Sequence, residues 1–83
     1  MENKPEASFK IGAVTAAIWK NKVDKGNTSF ISRNVQLQRA YKDQNNQWQH
    51  TGSLKVNDLA KAIIALQKAQ EYCFTVKDNG NEE

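Results

Sequence analysis

Apolar and polar residues alternate with a period of two over residues 9–56, then recur at spacings of three and four to residue 74. The first pattern is that of strands and the second that of an amphipathic helix. Residues 9–20 (FKIGAVTAAIWK) read as a single strand. Val14, Ala16 and Ile18 fall on one side of it, and Phe9, Ile11, Ala13, Thr15, Ala17 and Trp19 on the other. Neither side is polar, so both are expected to be covered, one of them by a second subunit. A short helix starting at Ala16 is the alternative; the β-branched residues and the missing cap favour the strand. Residues 21–27 (NKVDKGN) read as a loop in which Gly26-Asn27 permits positive φ.

Residues 28–42 exceed an ordinary strand in length, and their alternation slips, because Phe30 is even where Ile31, Val35 and Leu37 are odd. A bulge near Ser32-Arg33-Asn34 would exchange the faces. Arg39 and Tyr41 then emerge from the apolar face, with Gln36, Gln38 and Lys42 opposite. A polar turn at Asp43-Gln44-Asn45-Asn46-Gln47 leads to a last strand over residues 48–56, paired antiparallel with the one before and bringing Trp48 against Tyr41. Asn57 caps a helix over residues 58–74, whose apolar stripe is Leu59, Ala62, Ile63, Leu66, Ala69 and Cys73, with Ile64 off it. Strands followed by one helix make an α+β fold: an antiparallel sheet of three to four strands and a C-terminal helix.

At 83 residues the chain is one domain, read as residues 9–76 between tails at 1–8 and 77–83 that hold almost no apolar residues. A core this small usually needs a staple or a partner. Cys73 is the only cysteine and no Cys/His cluster offers a zinc site, so a homodimer is expected instead. No segment has the apolar length of a membrane span or a signal peptide, which predicts a soluble, cytoplasmic protein without a membrane partner.

The net charge of +3 is unevenly placed. Residues 9–56 hold eight basic side chains against two acidic ones, whereas residues 57–76 are balanced. Basic residues interleaved with aromatic rings on strands are the ingredients of a platform for single-stranded nucleic acid, in which rings stack bases and cations hold phosphates. The candidates are Lys10, Lys20, Lys22, Arg33, Arg39 and Lys42 for phosphates, and Trp19, Phe30, Tyr41 and Trp48 for stacking. Duplex reading is not expected, since the one long helix is electrically neutral. Catalysis has little to draw on: His50 has no acidic or nucleophilic neighbour in sequence, Cys73 lies on the apolar stripe, and no phosphate loop or carboxylate pair is present. No enzyme activity, cofactor, metal or small-molecule substrate is therefore expected.

Gly12-Ala13-Val14 with Ile18-Trp19, Arg39-x-Tyr41-Lys42-Asp43, Trp48, Thr51-x-Ser53-Leu54 and Asn57-Asp58-Leu59 at the start of a helix together resemble a group of small bacterial and phage proteins. These are similar to the eukaryotic transcriptional coactivator positive cofactor four and, more distantly, to the Whirly proteins. The resemblance spans residues 9–73. It implies curved antiparallel strands followed by a helix, a dimer, and single-stranded DNA lying across the paired sheets in transcription, replication or recombination. The serine-rich arm of the coactivator has no counterpart in MENKPEAS. DNA contacts vary within the group, so the candidate residues rest on their chemistry. RNA binding, or a protein-interaction module with no nucleic-acid ligand, are the alternatives.

Overall fold

The computed structural model describes residues 4–76. Strands β1 (Ala7–Ile11), β2 (Val14–Lys25), β3 (Thr28–Lys42) and β4 (Trp48–Thr51) form one antiparallel sheet in the order β1-β2-β3-β4. A 3-10 turn (Val56–Asp58) leads into helix α1 (Leu59–Thr75). The fold is α+β, a four-stranded antiparallel sheet followed by one C-terminal helix. Among the described residues no helix is long and apolar enough to cross a membrane.

The expected first strand is in fact two. Ile11 pairs with Val14 across a two-residue turn in which Gly12 has φ +60°. Glycine in first place with positive φ is the arrangement that matches the twist of paired strands. A Cβ on Gly12 would also come within 3.1 Å of the Lys61 side chain. The turn shifts the alternation by one residue, so Phe9 and Ile11 join Val14, Ala16 and Ile18 on one face. The opposite face becomes Ser8, Lys10, Thr15, Ala17 and Trp19, polar enough that the expected cover on both faces is not required. The loop expected over residues 21–27 shrinks likewise: Lys25 pairs with Thr28, leaving only Gly26 (φ +59°) and Asn27 as the turn. At the N-terminal end the strand takes in Ala7 and Ser8, which the sequence assigns to a tail; the other expected tail, residues 77–83, lies outside the described residues.

No bulge interrupts β3. Its pairing with β2 runs without a break from Val14–Arg39 to Lys25–Thr28. The mixed parity of Phe30 and Ile31 has another cause. Fifteen residues of strand reach roughly 50 Å, whereas the 17 residues of α1 reach only about 26 Å. The distal half of the β2–β3 ribbon therefore has no helix behind it, and neither face there must be apolar. The elongation is measurable: the radius of gyration is 15.4 Å against about 12 Å for a compact chain of this length.

The helix packs on the sheet through alanines. Ala65 and Ala69 form one buried cluster with Ala16 and Ile18, with Phe9, Ile11, Leu37, Tyr72 and Cys73 around them; Val14 and Ala62 are buried as well. Ala65 is absent from the expected stripe, while Leu59, Ile63 and Leu66, which belong to it, are 50%, 58% and 42% exposed. Small side chains let the helix backbone approach the sheet; at about 100° per residue the larger ones are turned to one side. The side chain that ties down the start of the helix is also not Asn57, which is exposed, but Asp58. Its Oδ2 accepts from the Lys55 backbone N–H at 3.0 Å and pairs with Arg39 Nε at 3.2 Å.

Candidate nucleic-acid interface

Because side chains alternate along a strand and partners in register share a side, the sheet pairing sorts every candidate onto one of two faces. The helix-free face carries, from the ribbon tip inward, Phe30 beside Val23, Trp19 beside Asn34, and Gln36 beside Ala17. Lys10, Thr15 and Gln38 follow in one row, then His50 beside Ala40, and finally Trp48 beside Lys42. Lys20, Lys22, Arg33, Arg39 and Tyr41 lie on the other face, the side on which α1 packs. The ten candidates are thus five and five, and no single surface holds them all.

The helix-free face is an open platform. Trp48 is 64% and Phe30 47% exposed, and Trp19 is half-buried. Along β3, roughly 13 Å separates the Phe30 row from the Trp19 row, and roughly 26 Å that row from Trp48. Among the described strand residues none on this face is acidic. Its cations are Lys10, Lys25 and Lys42, and its polar remainder is the neutral amides Asn21, Asn34, Gln36 and Gln38 with Ser8, Thr15, Thr28, Ser32 and His50. Lys42 Nζ sits 5.4 Å from the centre of the Trp48 ring, an ammonium beside a π face. The expected Trp48–Tyr41 contact does not form, because Tyr41 pairs with Gln49 and points to the other side.

On the helix-side face the two arginines are already held by carboxylates. Arg33 donates from Nε to Glu6 Oε1 at 2.8 Å and from its terminal nitrogen to Oε2 at 3.1 Å. The Tyr72 hydroxyl donates to the same Oε2 at 2.7 Å. The Arg33 hydrogen bond, then that of Tyr72 and the charges of Arg33 and Lys20, hold the Glu6 carboxyl below its ordinary 4.5 despite partial burial. Arg39 bonds to Asp58 and to the Ser53 carbonyl at 3.3 Å, and its guanidinium lies 5.7 Å from the Tyr41 ring centre. Both arginines brace the fold. Arg39, Tyr41, Lys42, Thr51 and Lys55 nevertheless meet around a shallow pocket of about 370 Å³ at the β3–β4 edge. There Arg39 and Tyr41 from one face and Lys42 from the other line one pocket, joined by Lys55, a cation absent from the candidate list.

The intervening turn is built by Asp43. Its Oδ1 accepts from the Asn45 and Gln47 backbone N–H groups, both at 2.9 Å, and its Oδ2 from the Gln49 side chain at 3.0 Å. The Gln47 bond first, with those of Gln49 and Asn45, keeps this carboxyl below its usual range. The last strand ends at Thr51 rather than at residue 56, since residues 52–55 bend back to give Arg39 the Ser53 carbonyl. On β3 the platform amides that a candidate list of rings and cations misses are Asn34, Gln36 and Gln38. They share the parity of Phe30 and Lys42 on β3, which was the available signal. Among the described residues no group of three His, Cys, Asp or Glu side chains could hold a metal ion. Compared with known proteins, the chain matches no family model, no curated protein and no solved structure.

Proposed function

We propose that this chain binds single-stranded DNA, with little regard to sequence, across the helix-free face of its sheet. The observation that carries the reading is the composition of that face: Phe30, Trp19 and Trp48 spaced along a surface with lysines, amides and no carboxylate on its strands. Rings can stack bases at these positions while Lys10 and Lys42 take the phosphates. The chain acts in this reading as a homodimer. Leu59, Ile63, Leu66, Gln70 and Cys73 follow the alternating four-and-three spacing of a helix seam, and Val35, Ile63, Leu66 and Cys73 line an apolar groove of about 550 Å³. A second copy presents the same stripe, so a two-fold contact is self-complementary.

The test is titration of a fluorescent dT oligonucleotide at two salt concentrations, beside sedimentation. Saturable binding that weakens by roughly 0.7 log unit per neutralised phosphate for each log unit of salt, by a species of twice the chain mass, is expected. Absence of binding at low salt would remove the nucleic-acid reading. A matched RNA oligonucleotide in the same titration separates DNA from RNA preference.

A further inference from the structure

Trp19 and Gln36 are diagonal neighbours on the helix-free face, and they are bonded: the indole Nε1–H donates to Gln36 Oε1 at 3.2 Å. An indole nitrogen is a donor only, so it can be satisfied by the carboxamide oxygen and not by its NH₂. The bond therefore fixes which way the amide points. With Oε1 turned to the indole, Gln36 presents its two N–H donors outward. Asn34 stands directly across from Trp19, and Trp19, Asn34, Val35 and Gln36 line a shallow pocket of about 480 Å³.

We propose that this pocket is a base-selective subsite. Trp19 stacks one base, and the oriented Gln36 amide donates to a carbonyl oxygen on that base's edge. Thymine and guanine expose such an oxygen, whereas adenine places an amino donor at the corresponding position, where it would meet the amide donor to donor. Thymine and guanine are held in preference to adenine. The inference rests on the nucleic-acid reading above and adds a preference to a surface otherwise tolerant of sequence.

The test compares dT and dA oligonucleotides of equal length on the unsubstituted protein, Gln36→Leu, Gln36→Glu and Gln38→Leu. The ratio of the two affinities is the readout, which cancels the self-stacking of dA and any uniform loss of binding. Gln36→Leu is expected to lower the dT-to-dA ratio about fivefold, the worth of one net hydrogen bond. Gln36→Glu, which keeps an acceptor for the indole and replaces the outward donors by an acceptor, is expected to lower it further. Gln38→Leu, one step along the same face, should leave it unchanged. A ratio unaltered in both Gln36 variants, with both oligonucleotides still bound, would overturn the subsite and leave the wider reading intact. Failure of the unsubstituted protein to bind either strand at low salt would overturn both.

Discussion

Glu6 grips Arg33 at two points, 2.8 Å and 3.1 Å, across 27 residues of chain. Through Tyr72 the same carboxylate also reaches the C-terminal half of α1, so one acid joins the start of the sheet, its third strand and the helix. It further offsets the cation pair Lys20–Arg33, which face one another across β2 and β3. Glu6→Gln is expected to lower the unfolding free energy by roughly 1–2 kcal/mol, read by urea denaturation. The carboxyl is held below its ordinary 4.5, so its contribution is complete above that value. It is lost as pH falls through the depressed folded pKa. Tyr72 is shifted the other way, above its ordinary 10.0, chiefly by its bond to Glu6. That contribution is complete below 10.0 and is lost as pH rises through the raised value. Urea unfolding across pH should show a weaker acid dependence in Glu6→Gln and a weaker alkaline one in Tyr72→Phe.

Arg39 and Lys42 carry the same charge three positions apart and should behave differently. Arg39 is bonded at 3.2 Å to Asp58, the one buried charged residue among those described. Its removal leaves that carboxylate with the Lys55 N–H but no counter-charge, and Arg39→Ala should lower stability by roughly 1.5–3 kcal/mol in thermal or urea unfolding. Lys42 lies on the open face over Trp48. Lys42→Ala should leave stability nearly unchanged and reduce the salt slope of dT binding by about 0.7.

Stacking is tested ring by ring. Trp48→Ala, at a site 64% exposed, should weaken dT binding by about 1–3 kcal/mol while the circular dichroism spectrum is kept. Tyr41→Ala, on the other face, should weaken it less. Equal losses from the two rings would place DNA on both faces, contrary to the proposal.

The two helix stripes separate packing from association. Ala65→Leu, at a position with no exposure, should cost roughly 1–3 kcal/mol by forcing α1 off the sheet. Ile63→Glu, at a position 58% exposed, should leave the subunit folded and, for the dimer proposed above, shift sedimentation from twice the chain mass to the single chain.

Gly26 is a backbone requirement alone, since nothing lies within 4 Å of a Cβ built there and its φ is +59°. Gly26→Val should cost about 1–2 kcal/mol and speed amide exchange at the ribbon tip more than in the rows behind the helix.

The alternation in residues 9–56 and the spacing after them make the order of strands and helix legible, and Asp43 marks its turn openly. Gly12-Ala13 does not, because apolar residues continue on both sides and hide the change of direction. That one turn decides which way Phe9, Ile11 and Lys10 face. The helix stripe is misread for a related reason. Leucine and isoleucine outrank alanine on any hydrophobic scale, yet the sheet admits only the smaller side chain at close approach. The candidate site is legible as a set of residue types, but Arg33 and Arg39 look like phosphate ligands until their carboxylate partners, 27 and 19 positions away, are placed beside them.

The uninterrupted β2–β3 pairing has a further consequence for how this chain tolerates insertions and deletions. Removing one residue from a single strand of the bare half forces either a compensating kink or a tip turned upside down. Removing two from each strand takes out two whole rungs, keeps the remaining tip side chains on their own faces and leaves the helix-backed pairs as they were. The ribbon's reach is thus adjustable in pairs of rungs, like a ladder shortened from the top, without retuning the core that anchors its foot.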